Sequence, residues 1–160
     1  MARLYGRAPG GARAPGAVPH GHWERLTVLG GLTLGGVTAC LSIAGAADTN
    51  VMVAFVEHAL VPTLRPGQIV ILDNLNVHRA PAVCRLIEAA GCTLRFLPPY
   101  SPDLNPIEQA WSKLKALLRA VGAWTTEALH DALAGVLAVI IPEDARAFFS
   151  HCGYGRYAPT

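Results

Sequence analysis

No C-x-x-C pair occurs among the four cysteines (Cys40, Cys84, Cys92, Cys152), which lie far apart, and the chain opens without the apolar run of a secretory signal. Those absences argue against a disulfide framework and a structural zinc site, so the thiols read as reduced side chains of a cytoplasmic protein. Charge is also scarce: Asp, Glu, Lys and Arg make up 15% of the sequence, and the formal net charge is +2. A dedicated DNA-binding module is far more basic, so this balance fits nucleic-acid contact without pointing to it. There are no internal repeats, and no acidic residue precedes Glu24. What is abundant is apolar: 52% of 160 residues, enough to exclude a disordered class and to bury the core of one domain.

Residues 26–47 carry no charge and are long enough to span a bilayer. Five glycines, three threonines and a serine interrupt them, and no second such span follows. The pairs Gly30-Gly31 and Gly35-Gly36 punctuate the stretch as a β-hairpin would, with strands over about 25–33 and 37–44 and the turn at Gly35-Gly36. Hairpin is therefore preferred to membrane helix. Residues 1–24, rich in Gly, Pro, Ala and Arg, form an irregular basic lead-in, and 25–160 the folded core.

Downstream, Asp48 or Thr49 caps a helix to about Leu60, with Val53, Phe55, Val56 and Leu60 on its apolar positions and Pro62 and Pro66-Gly67 ending it. QIVILD (68–73) reads as a buried strand. A helix over 79–90 stops at Gly91. TLRFL (93–97) is the next strand, and helices follow from Pro106 to about Ala120, over 126–140 and over 143–150. A hairpin feeding alternating strands and helices predicts an α/β fold, a mixed sheet with helices on both faces. The order is that of an RNase H-like fold with its first strand missing, because the residues before Arg25 are too rich in Gly and Pro to supply a central strand.

Two carboxylates fall where metal chemistry would want them. Asp73 ends a strand, at the sheet edge where α/β proteins gather ligands. Glu108 lies in the first turn of the helix that follows the neighbouring strand, so both converge on the same end of the sheet. Hard divalent cations take carboxylate and water oxygens, and two of them about 4 Å apart can activate an attacking oxygen and stabilise a leaving one. Such chemistry normally uses about three acids. Each residue also has a structural reading: Asp73 as a turn former, and Glu108 as the fourth member of Asn105-Pro106-Ile107-Glu108, a capping box reaching back to the Asn105 amide.

The surrounding words are more specific than the pair. QIVILDNLNVH, followed by LRFLPPYSPDLNPIEQAWSKLKALL, resembles the second half of the catalytic domain of mariner-type transposases, nearest their bacterial insertion-sequence branch. Thirty-four residues separate Asp73 from Glu108, the spacing that marks this group, and the tail FFSHCGY also looks like that branch. The resemblance implies a DDE-type core that uses Mg²⁺ (or Mn²⁺) to cleave and transfer DNA strands at transposon ends, with Asp73 as second and Glu108 as third metal-binding catalytic acid. It also implies a first Asp on a strand before Met1 and an upstream helix-turn-helix, so the chain is expected to be N-terminally truncated. Its partners would then be DNA, the product of an upstream frame and, from paired-end chemistry, a second copy. The alternative is an inactive remnant with weak nucleic-acid binding.

Asn74 and His78, on the loop after Asp73, recur in the family pattern and are candidates for DNA contact or support of the site. Ile107, Trp111, Leu114 and Leu118 make an apolar stripe on the helix from Pro106. Lys113 and Lys115 beside it are candidate phosphate contacts, and Arg119 suits the helix dipole. Arg3, Arg7, Arg13 and Arg25 form a DNA-contacting or merely solubilising arm. Asp48, Asp103, Asp131 and Asp144 are assigned to caps or loops.

Overall fold

The computed structural model describes residues 26–121 and 126–156. The lead-in over 1–24, its arginines and Glu24 lie outside them. Residues Leu26–Thr33 (β1) and Gly36–Ala44 (β2) pair as an antiparallel hairpin. The turn sits one residue earlier than expected, at Leu34-Gly35, because Gly36 at φ 111° already opens β2 opposite Thr33. The Thr33 hydroxyl closes the turn, accepting the Gly35 N–H at 3.2 Å.

Gly30 and Gly31 lie inside β1, within the expected strand over 25–33, and serve packing there. A Cβ on Gly30 would stand 2.6 Å from the Trp111 ring, and one on Gly31 3.0 Å from Leu60 Cδ1. The two glycines thus admit one large side chain to each face of the hairpin, since successive strand residues point to opposite sides.

Asp48 caps Thr49–Phe55 (α1) through a 2.9 Å bond from the Val51 N–H. The helix continues as a π turn over Val56–Leu60 and a 3₁₀ turn over Val61–Thr63, so Pro62 lies within the last turn and does not end the helix at Leu60. After Ile69–Leu72 (β3), the next helix is Pro81–Ala89 (α2). It closes in a Schellman arrangement: Gly91 has φ 75°, its N–H reaches the Glu88 carbonyl, and the Cys92 N–H reaches that of Ile87. Thr93–Phe96 (β4) pairs parallel to β3. Pro106–Val121 (α3), Thr126–Leu137 (α4) and Pro142–His151 (α5) follow, so Asp131 lies within a helix and not in a cap.

Two apolar clusters hold these elements. Met52, Phe55, Val56 and Leu60 meet Ala39 of β2 and Val83 and Ile87 of α2, which joins the hairpin to the parallel pair. On the other side, Leu114 of α3 and Leu133 and Val136 of α4 cover Val28 and Cys40. The hairpin therefore has helices on both faces, as expected. All four cysteines are free thiols.

The described residues do not form the expected single mixed sheet. Among the described residues β1 bonds only β2, and β3 only β4, giving two two-stranded sheets. This also corrects the reading of 68–73 as a buried strand: Ile69 is 64% exposed and Ile71 37%, both on the one face of β3 that alternate residues share. No described helix is long and apolar enough to cross a membrane.

Candidate active site

Asp73 follows the last residue of β3 and is half-buried. Its Oδ1 accepts the Leu75 N–H at 3.1 Å, the Asx-turn role open to any Asp at a strand end, and also His78 Nδ1 at 2.5 Å. The His78 side chain is 17% exposed. Backbone bonds from His78 N and Arg79 N to the Leu75 carbonyl wind this loop into a turn, which returns His78 to the strand end. One carboxylate oxygen thus organises the loop, while Oδ2 has no partner among the described residues. Asn74 Oδ1 accepts Arg79 Nη1 at 2.8 Å, and that guanidinium lies 5.6 Å from the centre of the Phe96 ring.

Glu108 occupies the first turn of α3 and is exposed. The capping-box alternative fails for a local reason. The Asn105 N–H, which the Glu108 carboxylate was to accept, already donates to the Pro102 carbonyl at 3.0 Å, in a 3₁₀ turn over Pro102–Leu104. Among the described residues the Glu108 carboxylate has no hydrogen-bond or ion-pair partner. It lines one groove of about 570 Å³ together with Asp73 and His78.

What holds α3 in place comes from the end of the chain. Lys113 Nζ and Asp144 Oδ2 pair at 2.6 Å, and Asp144 also accepts the Ile141 N–H at the start of α5. The lysine's hydrogen bond, more than any other influence, draws the Asp144 carboxyl below its ordinary range. Tyr154 donates to the Leu104 carbonyl at 2.9 Å, just ahead of α3, and burial raises its phenol. Cys152 packs beside Gln109, its thiol raised chiefly by burial.

The sequence-based candidates are therefore distributed unevenly. Asp73, His78 and Glu108 share the groove, and Asn74 is engaged beside it by Arg79. Lys113 is taken up by Asp144, whereas Lys115 is exposed on α3. Arg79 and Phe96 went unnoticed in the sequence, where nothing but the five-residue step from Asn74 ties Arg79 to the site. Tyr100 was read only as part of a motif. It is fully exposed with φ 56°, the one described non-glycine residue at positive φ.

Residues 1–129 match the family model described as DDE superfamily endonuclease. Among solved structures, the chain is similar to the Mos1 strand transfer complex (TM-score 0.67, 19% identity, covering 94% of this chain and 45% of that one). It is also similar to the Mos1 mariner paired end complex with Mn, with TM-score 0.62 and 19% identity over 91% of this chain and 45% of that one. At that identity the likeness speaks to the fold, and this chain spans under half the length of either. No curated protein matches.

Proposed function

Because this chain belongs to the DDE superfamily of endonucleases, we propose that it is catalytic-core material of a mariner-like transposase, nearest the bacterial insertion-sequence branch, acting by metal-dependent DNA cleavage and strand transfer at transposon ends. The observation that carries the proposal is the shared groove: Asp73 and Glu108 come from separate elements to line it, and Glu108 has no structural partner there.

The donor set fits a hard divalent cation of the Mg²⁺ or Mn²⁺ type. Asp73 Oδ2 and both oxygens of Glu108 are uncommitted, and such ions are commonly held by one or two carboxylates, with water and phosphate oxygens filling the other positions. When bound, the ion would polarise a phosphodiester and activate the attacking oxygen. In this reading His78 fixes Asp73 so that Oδ2 faces the groove, and α5 holds α3 so that Glu108 does. Lys115 meets the DNA backbone, whereas Lys113 acts on the site through Asp144. No group of three or more His, Cys, Asp or Glu side chains placed to hold a metal occurs among the described residues. In the proposal the third acid is therefore donated by another segment, such as an upstream-frame product, in an assembly that brings two copies to paired ends.

Glu108→Gln and Asp73→Asn test the reading. Mn²⁺ titration followed by the electron paramagnetic resonance of the free ion should show weaker binding in both variants, with the Glu108→Gln fold unaltered by circular dichroism. In the completed protein, Glu108→Gln should abolish Mn²⁺-dependent plasmid nicking. Full nicking by that variant would overturn the ligand assignment. Absence of nicking in the completed wild type would favour an inactive remnant with weak nucleic-acid binding.

A further inference from the structure

We infer that Arg79 is a preset phosphate receptor, which takes a backbone phosphate of a bound DNA strand beside the groove that Asp73 and Glu108 line. This role rests on the DNA-acting reading above and is independent of metal binding and cleavage. The turn after β3 makes two successive side-chain links of the same span, His78 to Asp73 and Arg79 to Asn74. Its backbone is fixed as well, because the Arg79 N–H reaches the carbonyls of both Leu75 and Asn76 at 3.2 Å. His78 is largely covered, whereas Arg79 is exposed.

The guanidinium is held from two directions. Nη1 donates to Asn74 Oδ1 at 2.8 Å, and the group lies 5.6 Å from the centre of the Phe96 ring. Phe96 pairs in register with Leu72, the residue before Asp73, and Asn74 is the residue after it. Both anchors therefore stand at the carboxyl end of β3 and β4, and the positive charge is fixed there. Neither anchor is charged, and among the described residues no carboxylate pairs with Arg79. Lys113, by contrast, already has its counter-ion in Asp144. A guanidinium carries five N–H donors in a planar fork that suits phosphate oxygens, and Asn74 engages one of its nitrogens. A cation held in place before its ligand arrives loses little side-chain freedom on binding. It also offsets Asp73 and Glu108, whose charge by itself would repel a DNA strand. Asn74, its carbonyl oxygen taken up, then acts on DNA through Arg79.

The test is binding of the whole chain to a fluorescein-labelled duplex of about 20 base pairs, followed by anisotropy in EDTA from about 50 to 200 mM salt. Arg79→Gln should weaken binding about fivefold and reduce the slope of log K against log salt by about 0.9, the change for one lost phosphate contact. Arg79→Lys should keep the slope, because the charge stays, yet bind about twofold more weakly, since an ammonium has no planar fork. Phe96→Leu removes the support and leaves the cation, so it too should weaken binding without changing the slope. Circular dichroism of each variant checks the fold. An unchanged slope in Arg79→Gln would overturn the inference and leave Arg79 as a staple between the turn and β4. A wild type that does not bind the duplex would overturn it together with the DNA-acting reading. The expected loss of slope, in a protein that neither binds Mn²⁺ nor nicks DNA, would uphold the phosphate contact while overturning metal-dependent cleavage.

Discussion

Asp73 and His78 are joined at 2.5 Å through Oδ1 and Nδ1, and the same carboxylate oxygen accepts the Leu75 N–H. The loop after β3 is thus built on one oxygen, and the other has no partner among the described residues. His78→Ala should lower stability by about 1 kcal/mol, the usual worth of such a bond. It should also weaken Mn²⁺ binding, because Asp73 would no longer be held in one rotamer. Urea denaturation and Mn²⁺ titration of the variant check both effects. Unchanged Mn²⁺ affinity would show that His78 serves the loop alone.

Tyr100 adopts φ 56° while burying nothing. A left-handed conformation costs a non-glycine residue roughly 1–2 kcal/mol, part of which glycine gives back in chain entropy. Tyr100→Gly should therefore stabilise the protein, by up to about 1 kcal/mol. Tyr100→Val should destabilise it, since branching at Cβ makes that region worse. Paired denaturation curves decide the sign.

The hairpin glycines should differ in how replacement harms them. At Gly36 a Cβ would meet the Ile140 carbonyl at 2.8 Å, and φ is 111°, so both the backbone and a fixed atom oppose it. At Gly30 the obstacle is the Trp111 ring, which can move. Gly36→Ala should cost more than Gly30→Ala, each in the range of about 1–3 kcal/mol typical of overpacking. Only Gly30→Ala should shift tryptophan fluorescence.

Asp144 gives a pH signature. Its pKa is lowered from the ordinary 3.8 by the Lys113 hydrogen bond above all. A carboxyl depressed in the folded state contributes stability that is fully present above its unfolded value and lost as pH falls through the folded one. Thermal unfolding between about pH 6 and pH 2 should therefore show a loss beginning near pH 4. Asp144→Asn should start less stable at pH 6 and converge with the wild type at the acid end. Parallel curves would contradict the assignment.

Much of the fold was legible because its determinants are local. Asp48 caps its helix, Gly91 ends another, and the alternation of short strands with helices set the α/β class. The hairpin turn slipped by one residue because either of two adjacent glycines suited a turn, and pairing with Thr33 chose between them. Gly30 and Gly31 fell in the expected strand, but what they do there was not legible. A glycine that breaks a strand and one that makes room for a facing side chain look alike until Trp111 and Leu60 arrive from distant helices.

The sequence by itself determined the kind of elements, their order and the candidacy of Asp73 and Glu108, through a motif long enough to be specific. Tertiary structure alone decided three things: that Glu108 has no cap to serve, because Pro102 already holds the Asn105 amide; that Lys113 is spent on Asp144; and that the strands of the described residues stand as two pairs beside a groove. Each turns on which partner reaches a hydrogen-bonding group first. That competition is between groups far apart in the chain or held in particular turn geometry, and residue type and spacing do not encode it.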